Sequence, residues 1–198
     1  MIEVRLPPPS WYPFHDDKGE EVVINVSSVG IWVFSDTHFL AVQQADVLGK
    51  PWGIPAGSVE SFDKNTGRSA IRELLEEAGL ESDPRNLPYL GHRFSEDYGN
   101  KGQILFAHHR KDLGIGWDLK YIDARGQKFY NPPPAVNRSE IEQLALIPLV
   151  IACNPNNVLL SNPYHIDKIY DGLLAMRRAE VIDGHLPIDR IFDSDPGL

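Results

Sequence analysis

One segment constrains this chain more than any other. From Thr66 to Ala78 it reads Thr-Gly-Arg-Ser-Ala-Ile-Arg-Glu-Leu-Leu-Glu-Glu-Ala, followed by Gly79. At 100° per residue, Ile71, Leu74, Leu75 and Ala78 fall in one stripe, which predicts an amphipathic helix with that stripe toward the core. Gly79 is the expected stop. Glu73, Glu76 and Glu77 lie within about a 100° arc almost opposite the stripe. Carboxylates this close repel, and a like-charge i,i+4 pair costs roughly 0.2–0.5 kcal/mol. Arg72, four residues before Glu76, offsets part of that cost. The negative charge left over is the kind of oxygen-rich environment a hard cation such as Mg²⁺ prefers.

The flanks of this helix are rich in β-branched and aromatic residues. Val22 to Gln44 predicts strands with a hairpin turn at Ser35-Asp36, and residues 52–60 a short strand leading into a loop. Tyr89 to His109 predicts two more strands, turning over Tyr98 to Gly102. Residues 111–138 read as a long insertion with its own hairpin around Asp123-Ala124-Arg125-Gly126, of the length that often serves as a lid or an interface. Residues 139–152 predict a turn and then a buried strand. Pro163 to Ala179 predicts a second amphipathic helix, with Ile166, Ile169, Leu173 and Met176 at helical spacing. Residues 1–20 form a proline-rich, then aromatic arm. The order strands, helix, strands, helix predicts an α/β domain spanning residues 1–198, a mixed sheet between helices.

Charge and cysteine content narrow the function. With 19 basic and 28 acidic side chains the formal net charge is −9, which disfavours nucleic acid or an anionic membrane as partner. A phosphate-bearing ligand needs something to invert the local field, and a divalent metal does so most directly. Cys153 is the single cysteine, so no internal disulfide and no cysteine-based zinc site is expected. The start of the chain lacks the apolar stretch of a signal peptide, and the run from Leu144 to Cys153 is too short to span a membrane. Cytoplasmic is the expected location.

Taken alone, Glu-x-x-Glu-Glu is most often a solvated helix face. The surrounding residues decide otherwise. Gly57, Arg72, Glu73, Leu74, Glu76, Glu77, Gly79 and Leu80 resemble the Nudix box, Gly-x5-Glu-x7-Arg-Glu-U-x-Glu-Glu-x-Gly-U, where U is a bulky aliphatic residue. Asp63 stands in place of the first glutamate, and eight residues rather than seven separate it from Arg72. Trp52-Gly53-Ile54-Pro55 is similar to the strand that precedes the box in the family. The segment from Ser139 to Leu149 is similar to its late loop and strand.

The resemblance implies a Nudix-like α/β/α sandwich and Mg²⁺- or Mn²⁺-dependent hydrolysis of a nucleoside diphosphate linked to another group, by direct attack of metal-activated water on phosphorus. It implies Glu73, Glu76, Glu77 and the Ala56 carbonyl as metal ligands, with Glu73 alternatively the base. Arg72 would orient a glutamate. Glu140 is the candidate late acid, with Glu142 in reserve. Candidates for substrate contact are Trp52, Arg93 and Arg110, with Lys101, Tyr98, Trp117 and Tyr130 behind them. His108 and His109 fall on opposite faces of a strand and make a poor chelating pair. The arm and insertion are compatible with a homodimer. The main alternative is a non-catalytic Nudix-type domain that binds a nucleotide ligand. Allylic diphosphate isomerisation ranks last, because Cys153 lies in an apolar stretch rather than beside the acids.

Overall fold

The computed structural model describes residues 11–15, 21–45, 48–49, 52–63, 65–83, 86–87, 89–95 and 101–152, with 11–15, 21–25, 89, 91–95 and 101 described by backbone alone. The chain forms β1 (Trp11–His15), β2 (Glu21–Phe34), β3 (His38–Gln44), β4 (Trp52–Gly53), β5 (Ala56–Ser58), α1 (Thr66–Ala78), β6 (Tyr89–Ser95), β7 (Lys101–His109), β8 (Leu119–Ile122), β9 (Lys128–Tyr130), β10 (Ile141–Pro148) and α2 (Leu149–Ala152). The expected second helix at 163–179 and Cys153 lie outside the described residues.

All ten strands among the described residues join one mixed sheet, whose main path is ordered β6-β7-β2-β3-β10-β9-β8. β2 and β7 run parallel from Asn25 beside Lys101 to Phe34 beside His109, and the other pairings are antiparallel. The arm contributes β1, which pairs with the first half of β2. β2 alternates Val29, Ile31 and Val33 into one core with Trp32 and Phe34 into the other. Both faces of the sheet are therefore buried along this strand, as its continuous apolar run requires. α1 covers the first face through Ala70, Leu74 and Ala78. α2 packs on the second face through Leu149 and Ala152.

One topological feature positions the site. β2 and β3 meet only at the foot of their hairpin, where Phe34 pairs with Phe39. Beyond it they splay. β5 pairs with β2 through Gly30–Ala56 and Ser28–Ser58, while β4 pairs with β3 through Val42–Gly53. The segment 52–58 is thus wedged between the two long strands, and β5 is carried over α1.

The insertion is built into the sheet. β9 pairs with β10, and Leu113, Phe129, Tyr130 and Val136 enter the cores. The expected hairpin is present. Asp123 accepts the amides of Arg125 and Gln127 on Oδ1, and Gly126 takes φ 78°, a left-handed conformation that glycine adopts at no steric cost.

Candidate active site

α1 begins at Asn65, whose side chain accepts the Arg68 amide, and ends at Gly79 with φ 66°. The Gly79 amide reaches the Leu75 carbonyl. The next orphan carbonyl, Glu76, is taken by the backbone amide of Asn137 at 2.8 Å, which docks the loop before β10 onto the last turn of the helix.

The helix is rolled relative to the orientation its aliphatic stripe predicts. Leu75 is 37% exposed, whereas Glu73 and Glu77 are each 6% exposed. The buried arc, which includes Ala70, Glu73, Leu74, Glu77 and Ala78, is turned about 90° from the stripe. Of the acidic face, Glu73 and Glu77 are thus buried, with Gly57 of β5 against Glu73, while Glu76 stays half-exposed. A Cβ on Gly57 would overlap the Glu73 carboxyl group, so only glycine lets the strand approach this closely.

Arg72 organises the acids. Its Nη1 donates to Glu73 Oε1 at 2.6 Å and to Glu76 Oε2 at 3.0 Å. Its Nη2 donates to the Ser58 carbonyl at 2.7 Å and to Asp63 Oδ2 at 3.0 Å, and the guanidinium lies 5.6 Å from the Phe62 ring centre. Asp63 thus joins the Arg72 network. Burial disfavours its ionisation, but the Arg72 and Glu60 hydrogen bonds prevail and hold its pKa below the ordinary carboxylate value.

Glu77 turns away from Arg72 and accepts the Ala56 amide on Oε2 at 2.7 Å. Burial pushes its pKa up to about 8, and the charges of Glu73, Glu140 and Glu76 add to the rise against that single hydrogen bond. Glu73 is also raised, chiefly by burial, with Arg72 opposing. Glu140 comes from the opposite side of the fold's sequence and raises both of these groups. Its carboxylate accepts Asn137 Nδ2 at 2.7 Å. Among the described residues, no three acidic or histidine side chains converge into a ready-made cation cage. The arrangement nonetheless offers only hard carboxylate oxygens, and burial leaves Glu77 with a single neutral donor and no compensating charge.

The other candidates fall elsewhere. Trp52 is half-buried against the second core, edge-on to Phe129 at 5.7 Å. Arg110 follows β7, where its amide meets the Phe34 carbonyl; Phe34 lies four residues, or about 13 Å, along β2 from the Gly30–Ala56 pair. Its guanidinium is committed to Asp112 and the Glu81 carbonyl, so the structure does not bring it to the carboxylates. Arg93 sits opposite Gln103 in β6, and its side chain lies outside the described residues, as do Tyr98 and the side chain of Lys101. His108 is buried with its pKa down to about 4, mainly through desolvation, and His109 pairs with Asp36 at 2.7 Å.

Three residues were not legible in advance. Asn137 acts through its amide and a short side-chain link, a role with no pattern in the sequence. Arg138 and Asn131 line an open cleft of about 340 Å³ with Ala45, Pro132, Ile141 and Glu142, beside the Glu140 loop. Only an Arg two residues before a candidate acid could have hinted at it.

The chain is similar in sequence and in fold to several known proteins. Protein 111R of Invertebrate iridescent virus 3, which carries a hydrolase name, is 37% identical over 65 residues; that match spans 33% of this chain and 37% of the relative. A NUDIX hydrolase from Nitrosomonas europaea superposes with a TM-score of 0.51 at 14% identity, covering 76% of this chain and 90% of that one. An ADP compounds hydrolase superposes with a TM-score of 0.54 at 12% identity, covering 85% of each chain. At such identities the likeness is one of fold. The family model described as the NUDIX domain matches residues 25–149, well over half of the sequence, and the chain belongs to that family.

Proposed function

We propose that this protein hydrolyses a diphosphate linkage in a nucleoside diphosphate derivative, with Mg²⁺ or Mn²⁺ held by Glu73, Glu76, Glu77 and the Ala56 carbonyl. The observation that carries the reading is the pair of buried, hydrogen-bonded carboxylates Glu73 and Glu77 under the Gly57 strand. Burying a carboxylate without a matching charge, as at Glu77, is unfavourable, and an oxygen-only donor set of this kind suits a hard divalent ion. When bound, such an ion neutralises phosphoryl oxygens and acidifies a water molecule.

The chain's own groups do the rest. Arg72 holds Glu73 and Glu76 in place and straps the 58–63 loop to the helix. Glu77 gives up its proton when a cation is taken up, and the Ala56 amide keeps its carboxylate oriented. Glu140, held by Asn137, takes the proton of the attacking water. Arg138, at the cleft beside that loop, meets a phosphate of the substrate. The fold shared with an ADP compounds hydrolase makes ADP-linked compounds the first to assay.

The second reading is a domain that binds a nucleotide ligand without turnover. A panel of ADP-ribose, dinucleoside polyphosphates and nucleotide sugars, assayed with Mg²⁺ and Mn²⁺ in wild type and Glu77→Gln, separates the two. Metal-dependent phosphate release that vanishes in the variant supports hydrolysis. Calorimetric binding without release supports the second reading.

A further inference from the structure

A cavity of about 390 Å³ opens at the β2–β3 turn, where the insertion begins. Ser35, in its wall, lies five residues, about 16 Å, along the chain from Gly30, the partner of Ala56. The size is within the range of small-ligand pockets. Its chemistry is opposite to that of the chain as a whole.

Two lysines, Lys111 and Lys128, line it, and neither has an ion-pair partner among the described residues. Its one acid, Asp36, already receives His109 Nε2 at 2.7 Å. His38 is kept neutral by burial and by Lys128, and its Nδ1 is engaged by Thr37 Oγ1 at 2.7 Å. Tyr130 lines the same cavity, and its hydroxyl has no hydrogen-bond partner among the described residues. The hydroxyl keeps solvent access and can donate to a ligand that enters the cavity. Gly114 closes the wall at φ 84°. A Cβ there would overlap Leu146 and come within 3.3 Å of the Tyr130 hydroxyl, so the glycine keeps the space open. Leu113, Leu146 and the 76% exposed Ile115 supply an apolar side.

We propose that this cavity is a second ligand site, separate from the carboxylates, that binds a small phosphorylated molecule. Its phosphate sits between Lys111 and Lys128 and accepts the Tyr130 O–H, while its apolar body rests on Leu113, Ile115 and Leu146. Two cations with one neutral donor match a dianionic phosphate; a monocarboxylate would leave one lysine uncompensated.

The test is amide NMR of the whole chain in EDTA, titrated with inorganic phosphate, phenyl phosphate and, at matched ionic strength, acetate. Saturable shifts at Thr37, His38 and Gly114 are expected, with phenyl phosphate about tenfold tighter than inorganic phosphate and acetate without effect. The Lys111→Gln/Lys128→Gln double variant should weaken binding at least about tenfold. Tyr130→Phe, which keeps the ring and its packing on Trp117, should weaken it several-fold, and Glu77→Gln should titrate as wild type. Absence of saturable shifts at the cavity, equal binding in the double lysine variant, or shifts confined to residues 56–77 would overturn the proposal without touching the hydrolytic reading.

Discussion

The Ala56 amide donates to Glu77 Oε2 across 2.7 Å, joining the first residue of β5 to the last turn of α1 over 21 residues of sequence. It is a neutral donor facing a carboxyl group whose pKa burial has moved to about 8. One amide does not replace the water that a carboxylate loses on burial, and three neighbouring glutamates add repulsion.

This predicts a pH dependence with a definite sign. Unfolded, Glu77 ionises near 4.5; folded, near 8. Below 4.5 both states are protonated and nothing is lost. Between 4.5 and 8 only the unfolded state releases the proton, so metal-free protein loses stability as pH rises, by roughly 1 kcal/mol per pH unit, and levels off above 8. Urea melts at pH 5, 6.5 and 8 in EDTA check it, and Mg²⁺ should restore the loss at pH 8.

Glu77→Gln keeps the acceptor for the Ala56 amide and removes the ionisation. The variant should fold, lose that pH slope, and be at least as stable as wild type at pH 8 without metal. Its turnover should fall by roughly a hundredfold or more. Parallel melts and steady-state assays read both effects.

Gly57→Ala places a methyl group in the space of the Glu73 carboxyl group. The strand or the glutamate must shift, at about 1–3 kcal/mol. The expected outcome is a lower denaturation midpoint together with loss of at least about tenfold in kcat. The same substitution at Gly53, where a Cβ meets nothing within 4 Å, is the control and should leave kcat unchanged.

Arg72→Lys retains the charge and loses the planar fork that serves Asp63, Glu73, Glu76 and the Ser58 carbonyl together. A loss of about 1–3 kcal/mol is expected. A double-mutant cycle with Asp63→Asn should show coupling of at least about 0.5 kcal/mol, because the two side chains are in contact.

Asn137→Ala leaves the backbone amide on the Glu76 carbonyl and removes the side chain that holds Glu140 and the Ser139 amide. Stability should change by about 1 kcal/mol or less, whereas kcat should drop about tenfold. Equal kcat in wild type and variant would remove Asn137 from the account.

What could be read in advance was local. Gly79 ended α1 where its conformation predicted, and the turns at Ser35-Asp36 and Asp123–Gly126 carried their own side-chain chemistry. What could not be read depends on partners distant in sequence. The parallel register of β2 and β7, and the splaying of β2 from β3 that admits 52–58, have no local signature. The roll of α1 is the clearest case. Leu75 fits the apolar stripe, but β5 covers Glu73 and Glu77 instead, and tertiary packing overrides the amphipathic pattern. The six acids and bases of the site were visible as residue types; the role of Asn137 was not, because a backbone amide is present at every position.

The most direct measurement is a Mn²⁺ titration, followed by electron paramagnetic resonance, of wild type and Glu77→Gln between pH 6 and 9. Saturable binding is expected in the wild type, tightening with pH up to about 8 with release of a proton, and weakened at least about tenfold in the variant. Equal Mn²⁺ affinity in both proteins, or no binding by the wild type at any of these pH values, would contradict the assignment of the buried carboxylates as the metal-holding group.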